Sequence, residues 1–215
     1  MGRAVATPED LKPRLRGVFH QWAFFAALVA VGVLVGIAGT GTARAAAAVY
    51  GVALAAMFGA SALYHRINWS ERPRRWMRRL DHSAIFLMIA GTYTPFCLLV
   101  ISEPLAIIVL AVVWGGAFAA GVINFAWIDA PKWATAVVGI ALGWISVIAL
   151  PQIPVTEAAL LAVGGILYTA GALAYALKRP NPFPRVFGYH EVFHVLVVAA
   201  AAIQFAAVAV AVSAG

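Results

Sequence analysis

The strongest constraint on this chain is a series of seven apolar segments. Each is close to the ~20 residues that a helix needs to cross a hydrocarbon core about 30 Å thick. The chain has 215 residues, of which 64% are hydrophobic and 11% charged, and no gap between segments could hold a soluble domain. We therefore predict an all-α polytopic membrane protein, in which residues 1–215 form a single seven-transmembrane helix bundle. The predicted spans are residues 18–38, 45–65, 82–101, 104–125, 132–150, 156–177 and 189–212.

The first apolar segment shares some features with a secretory signal peptide, because a basic stretch precedes it and Ala43-Arg44-Ala45 follows it. Its apolar run of about 20 residues is longer than a signal core of about 7–15 residues. Seventeen residues also precede it. We therefore expect this segment to remain in the protein as the first span.

The positive charges are distributed unevenly between the two sides of the predicted bundle. Of the 15 lysines and arginines, 14 lie before the first span or between spans two and three, four and five, or six and seven. Arg44 alone lies on the other side. By the positive-inside rule, this distribution predicts a cytoplasmic N-terminus and an external C-terminus in the plasma (inner) membrane. The net charge of +7 reflects this topology, so we predict no nucleic-acid partner.

The most basic segment is Asn68–Leu80, which also carries Trp69 and Trp76. We interpret it as a cytoplasmic loop whose tryptophans lie at the level of the lipid headgroups. A specific site for an anionic lipid is the alternative.

Two histidines four residues apart begin the last span. His190 and His194 lie on one face of the predicted helix with Cβ atoms roughly 5–6 Å apart, so both imidazoles can reach one metal ion. Ionisable groups in a membrane span are costly and are candidates for function. The alternative is a pair of interfacial histidines bonded to loop carbonyls. The single cysteine, Cys97, excludes an internal disulfide and a cysteine-rich metal site.

Three further polar residues lie at the same predicted depth as this pair. Ser61 and His65 are one turn apart at the cytoplasmic end of the second span, and Asp81 opens the third. The depth follows from hydropathy and charge alone, so the coincidence favours one site built from three helices. Taken singly, Ser61 would be a packing residue and Asp81 a helix cap. His65, like His20, would be an interfacial histidine.

The predicted site suits Zn²⁺. Three imidazoles would bind it at about 2.0–2.1 Å and leave a fourth position for water, whose pKa zinc lowers to about 7. Asp81 would act as a base for this water or orient an imidazole, and Ser61 would hydrogen-bond the water or a developing oxyanion. His82 competes with His65 as the third ligand, although its side chain points about 100° away from that of Asp81. Glu191 is expected to face a neighbouring helix or the loop.

Three stretches resemble the bacterial hemolysin III family. They are Ser61-Ala-Leu-Tyr-His-Arg66, Asp81-His-Ser-Ala-Ile-Phe-Leu-Met-Ile-Ala-Gly-Thr-Tyr-Thr-Pro95, and the segment from Lys178 that ends in Gly188-Tyr-His-Glu-Val-Phe-His194. That family is similar to the progestin and adiponectin receptor family and, more distantly, to the alkaline ceramidases. The resemblance covers nearly the whole chain.

The resemblance implies a seven-helix membrane fold with a zinc ion near the cytoplasmic face. It implies that His65, His190 and His194 are the zinc ligands, and that Asp81 and Ser61 approach the zinc-bound water. In the related ceramidases and receptors, such a site is associated with hydrolysis of a lipid amide. The name hemolysin refers to cytolysis attributed to some members.

Three functions follow as hypotheses. The leading one is a zinc-dependent intramembrane hydrolase, with the amide or ester of a membrane lipid such as ceramide as its substrate. The second is a cytolysin or pore-forming protein, although the spans lack the hydrophilic faces that would line a water-filled pore. The third is a lipid sensor in which zinc is structural and a bound lipid shifts the packing of the helices.

Overall fold

The computed structural model describes residues 12–127, 129 and 131–215, apart from the side chain of Lys132. Within these residues, seven helical regions are long and apolar enough to cross a membrane. The described ranges hold no β-strand, only an isolated bridge between Phe183 and Phe187. The predicted all-α, seven-helix membrane fold is thus confirmed. Its helices are α1 (Val18–Ile37), α2 (Gly41–Arg66), α3 (Glu71–Leu99), α4 (Leu105–Ala126), α5 (Lys132–Trp144), α6 (Val155–Leu177) and α7 (Tyr189–Ala214).

The helices follow from the apolar composition of the spans, since a backbone in lipid must satisfy its own hydrogen bonds. They end where turn-forming residues interrupt the pattern. The Oγ1 atom of Thr40, for example, accepts a hydrogen bond from the backbone N–H of Ala43 at 3.2 Å and caps the start of α2. Arg3, one of the 14 basic residues on the predicted cytoplasmic side, lies outside the described residues.

The interpretation of Asn68–Leu80 as a loop is wrong for most of its length. Helix α3 begins at Glu71, about three turns before the predicted span. Arginine is a good helix former, Glu71 suits the positive end of the helix dipole, and Pro73 falls in the first turn, where proline is tolerated. Helix α3 therefore extends beyond the apolar stretch that hydropathy detects.

The fifth span is also less regular than predicted. Helix α5 ends at Trp144 and continues as a 3₁₀ segment, Ile145–Gln152. The Tyr93 hydroxyl of α3 lies at this junction, 2.9 Å from the Leu142 carbonyl oxygen and 2.7 Å from that of Gly143. It also accepts a hydrogen bond from the Ser146 N–H at 2.7 Å. A side chain inserted in this way replaces the i→i−4 bond and ends the α-helical ladder.

Helices α2, α3 and α7 form the interior of the bundle. Helix α3 is the most buried, and α7 contacts α1, α2, α3 and α6. The close approach of α3 to α2 depends on Gly91, where an added Cβ atom would lie 2.5 Å from the Cβ of Ala53. This packing brings the end of α2, the middle of α3 and the start of α7 to one end of the bundle.

Candidate metal centre

Three buried histidines meet at this end of the bundle. His65 lies in the last turn of α2, and His190 and His194 lie in the first two turns of α7. Each offers a ring nitrogen, and these nitrogens lie within 4.8 Å of one another. The Nε2 atoms of His65 and His190 are 3.2 Å apart. The three histidines selected from the sequence are therefore close enough to bind one metal ion.

A second observation, on His194, also fits a bound metal ion. The Nδ1 atom of His194 is buried and has no hydrogen-bond partner among the described residues. A buried polar atom without a partner costs about 1–3 kcal/mol, a cost that a ligand to that ring would offset. A set of three imidazoles with no thiolate suits Zn²⁺, Cu²⁺, Fe²⁺ or Ni²⁺ better than Mg²⁺ or Ca²⁺.

Asp81 lies beside the three histidines. Its Oδ2 atom is 3.6 Å from the Nε2 atom of His65, and its residue is 9% exposed. This separation is within ion-pair range but too long for a direct hydrogen bond. The carboxylate thus faces the same region as the three histidines.

Ser61 is buried at the same level, and its partner is a residue that the sequence did not select. The Oγ atom of Ser61 lies 2.8 Å from the Nδ1 atom of His20 in α1. The ring of His20 also stacks on that of His194, with centroids 3.8 Å apart and planes 12° apart. The interfacial alternative for His20 is wrong, since the residue is only 2% exposed. Helix α1 contains a single histidine, so its sequence could not distinguish a buried position for His20 from an interfacial one.

His82 lies outside the three-histidine group. Its Nε2 atom is 3.4 Å from the Tyr175 hydroxyl of α6. Because His82 follows Asp81 directly on α3, the two side chains point about 100° apart. The geometry thus selects His65, and not His82, as the third member of the histidine group.

Glu191 is fully buried and faces the segment that precedes α1. The sequence predicted that it would face a neighbouring helix or a loop, and this contact is of the second kind. Its Oε1 atom forms an ion pair with the Nε atom of Arg16. Its Oε2 atom accepts a hydrogen bond from the Gly188 N–H at 2.8 Å and so caps α7. The carboxylate therefore holds the start of α7, and with it His190, against residues that precede α1.

The segment before α1 is bound to the connection between α6 and α7. The backbone N–H groups of Arg14 and Leu15 donate to the carbonyl oxygens of Arg185 and Val186, at 3.1 and 3.2 Å. Gly17 then adopts a left-handed conformation, with φ of 79°, and packs directly against His65. The segment before α1 and the connection between α6 and α7 thus cover the same end of the histidine group.

Gly17 supports a prediction about stability. In Gly17→Ala, the new Cβ atom would lie 2.5 Å from the Cβ of His65 at a positive φ. We expect a loss of about 2–4 kcal/mol from the left-handed backbone and the overpacking together. Unfolding in detergent measures it, with Gly32→Ala as the control on α1, because a Cβ there meets nothing within 4 Å. Equal stabilities of the two variants would contradict this account.

An apolar cavity of about 190 Å³ begins at the histidines. His20, Ser61, Asp81 and His194 line one end of it. From there it passes between α3, α5, α6 and α7, and its far end is lined by Phe96, Ile101, Leu150 and Ile153. It thus connects the histidine end of the bundle to the opposite end along a mostly apolar path.

The fold and this centre together define an integral membrane protein of seven apolar helices with a buried three-histidine group. A sequence model described as Haemolysin-III related matches residues 10–205. The chain therefore belongs to the Haemolysin-III related family.

Individual relatives agree with this assignment. Hemolysin-3 of Bacillus cereus is 33% identical over 173 residues, which cover 78% of this chain and 75% of the relative. The Hemolysin-3 homolog of Bacillus subtilis (strain 168) is 30% identical over 161 residues, or 73% and 72% of the two chains. The human Monocyte to macrophage differentiation factor is 24% identical over 165 residues, which cover 74% of this chain and 67% of the relative. The similarity thus extends to a human protein.

Proposed function

We propose that this protein is a zinc-dependent intramembrane hydrolase that cleaves the amide or ester bond of a membrane lipid. The observation that carries the proposal is the buried group of His65, His190 and His194, with Asp81 beside it, at the end of an apolar cavity. Buried ionisable residues in a membrane protein are costly, and their convergence on a cavity favours a functional site.

Zinc is the proposed metal because three imidazole ligands are typical of catalytic zinc sites. His65, His190 and His194 would hold it. A bound Zn²⁺ would supply Lewis acidity at the carbonyl oxygen and a water of lowered pKa.

Two side chains of the chain itself have proposed roles in proton transfer and orientation. The Asp81 carboxylate accepts a proton from the attacking water and later returns it to the leaving group, as a general base and then a general acid. It is placed for this because its Oδ2 atom lies 3.6 Å from the Nε2 atom of His65 and the residue lines the polar end of the cavity. Ser61 stabilises the carbonyl oxygen through its hydroxyl group, whose orientation His20 holds.

The cavity supports a lipid as the substrate class. Its walls are mostly side chains such as Met88, Ile89 and Phe96, and they begin at the histidines. An acyl chain in this space would bury apolar surface, at about 25 cal/mol per Å², while its carbonyl group lies at the polar end. A water-soluble amide would gain none of this stabilisation.

We also propose that the histidine end of the bundle is cytoplasmic and that the C-terminus is external. Gly215 lies beside Gly39, in the connection after α1, at the opposite end from the histidines. Cations cluster at the histidine end, where the pKa of Lys12 is lowered by partial burial and then by repulsion from Arg16, Arg66 and Arg74. The positive-inside rule places such a cluster in the cytoplasm.

Turnover of a lipid-amide panel by the purified protein tests the function directly. In Asp81→Asn, we expect unchanged zinc content and a loss of about 10²–10⁴-fold in kcat, because the proton acceptor is gone and the histidines remain. Asp129→Asn is the matched control, since Asp129 is exposed and pairs only with Arg78 among the described residues. Zinc-dependent turnover that is identical in Asp81→Asn and wild type would contradict the role of Asp81. Absence of zinc-dependent turnover across the panel would contradict the hydrolase proposal.

Cytolysis is the second candidate function, and the names of the two Bacillus relatives favour it. Release of a trapped dye from liposomes that contain the protein would test it. Leakage that persists in His194→Ala would separate cytolysis from any chemistry of the histidine group. Leakage that is absent from wild type would leave the hydrolase as the better account.

A further inference from the structure

We infer that His20 is a positioning residue of the histidine site, which orients both the Ser61 hydroxyl and the His194 imidazole from α1. The inference rests on the proposed function, in which Ser61 and His194 belong to the reacting site. It adds a fourth helix to that site and assigns α1 a part in it.

The contacts of His20 are with the site itself. Its Nδ1 atom lies 2.8 Å from the Oγ atom of Ser61, and its ring lies parallel to that of His194 at 3.8 Å. Phe58 meets the same ring edge-on, with centroids 5.1 Å apart. The ring is thus confined by one hydrogen bond and two aromatic contacts, which leaves it little rotational freedom.

The rest of α1 offers little reason to bury a histidine there. Only His20, Ala27 and Leu34 of this helix are buried, and the remainder is exposed or partly exposed on the outside of the bundle. The buried stripe, with a spacing of seven residues, packs α1 against its neighbours. Two of its three members are aliphatic, so the imidazole is the exception.

The energetic cost of His20 supports a role other than packing. Its Nε2 atom is buried and has no hydrogen-bond partner among the described residues. Such an atom costs about 1–3 kcal/mol, and a phenylalanine of similar shape would avoid that cost. The hydrogen bond that the other ring nitrogen makes to Ser61 offsets part of this cost, and phenylalanine could not make it.

That bond has a consequence for the Ser61 hydroxyl. A neutral imidazole has one donor and one acceptor nitrogen, and a hydroxyl has one proton. In the arrangement that the proposed role of Ser61 requires, the Nδ1–H of His20 donates to the Oγ atom, so the single hydroxyl proton of Ser61 is available to the carbonyl oxygen. Residues that orient a ligand or its neighbours in this way change metal affinity or activity by about 10–100-fold when they are replaced.

Two substitutions separate the two contacts. His20→Phe keeps a ring to stack on His194 and removes both nitrogens, so we expect Zn²⁺ affinity within about 3-fold of wild type and a kcat about 10–100-fold lower at unchanged KM. His20→Leu fills the space without a ring, and we expect it to weaken Zn²⁺ binding by about 10–100-fold as well. Chelator competition measures the affinity, and hydrolysis of a fluorescently labelled ceramide measures kcat and KM. Gln21→Ala, on the next residue of α1, is the control.

A combination with Ser61→Ala tests the coupling. If His20 acts through Ser61, His20→Phe lowers kcat no further in the Ser61→Ala background. Full additivity of the two losses in kcat would overturn the inference that His20 orients Ser61. Zn²⁺ affinity of His20→Leu that equals wild type would overturn the inference that His20 orients His194. If wild type binds Zn²⁺ but hydrolyses no lipid, the proposed function fails, and the affinity of His20→Leu still decides whether His20 positions His194.

Discussion

Replacement of His65 by alanine is expected to remove most of the bound zinc from the purified protein, whereas replacement of His82 is expected to leave it in place. His65 contributes one of three clustered ring nitrogens, while the ring of His82 lies outside that group. Loss of one of three ligands should weaken binding by at least about 100-fold, the upper end of the effect of residues that only orient a ligand. Elemental analysis of the two variants beside wild type, after equilibration with Zn²⁺ and gel filtration, gives the zinc content per chain.

The contrast between these variants makes the result specific. Both replace one buried or partly buried histidine in neighbouring helices by alanine, so a general loss of packing would affect them similarly. Zinc retained by His65→Ala and lost from His82→Ala would contradict the ligand set. Equal zinc in all three proteins would place any bound metal elsewhere.

Removal of zinc from wild type with a chelator extends this experiment to the role of the metal. A structural site contributes directly to folding free energy, so its removal unfolds the protein. A catalytic site, held by the contacts of Glu191, Gly17 and His20, should leave the fold intact and abolish turnover. Unfolding on zinc removal, in a protein that hydrolyses no lipid even with zinc bound, would favour the lipid-sensor hypothesis.

Loss of Arg16 is expected to destabilise the protein more than loss of its partner Glu191. In Arg16→Met, the Glu191 carboxylate is left fully buried without its cation, and we expect a loss of about 3–5 kcal/mol. In Glu191→Gln, the guanidinium that remains is 19% exposed and can be hydrated, while the amide oxygen can still accept from Gly188. We expect this variant to lose only about 1–3 kcal/mol.

A double variant and a control complete this prediction. Arg16→Met with Glu191→Gln removes both charges and should recover part of the loss seen in Arg16→Met alone. Arg14→Met replaces an exposed arginine of the same segment, and we expect a change within about 0.5 kcal/mol. Unfolding in detergent measures all four variants. Similar losses in Arg14→Met and Arg16→Met would mean that the buried ion pair does not hold the start of α7.

The predicted spans show why hydropathy was informative. In lipid, a helix is the way for a single segment to satisfy its backbone, so the apolar stretches of α1, α4 and α6 lie within one or two residues of the helices formed there. Hydropathy gives no information about helices outside the apolar stretch. It therefore missed the basic start of α3 at Glu71, which local helix propensity and not lipid explains.

The histidine group was accessible for a related reason. Membrane depth orders residues from different helices along one axis, so Ser61, His65 and Asp81 could be brought level with His190 without knowledge of helix packing. The i, i+4 spacing of His190 and His194 supplied the shared face. Together these two constraints selected the three histidines that the fold brings within 4.8 Å of one another.

Depth does not say which way a side chain points around its helix axis, nor which helices are neighbours. His20, His65 and His82 are all near one end of the bundle, and only the packing of the helices against one another separates their environments. The ion pair between Arg16 and Glu191 likewise joins residues 175 positions apart. It forms because the segment before α1 packs against the start of α7. The sequence by itself thus determined seven helices and the level of a polar site within them, because lipid acts on each segment separately. Only the tertiary structure decided which histidines share a centre and what surrounds it, because those contacts depend on the rotation and adjacency of helices that hydropathy leaves free.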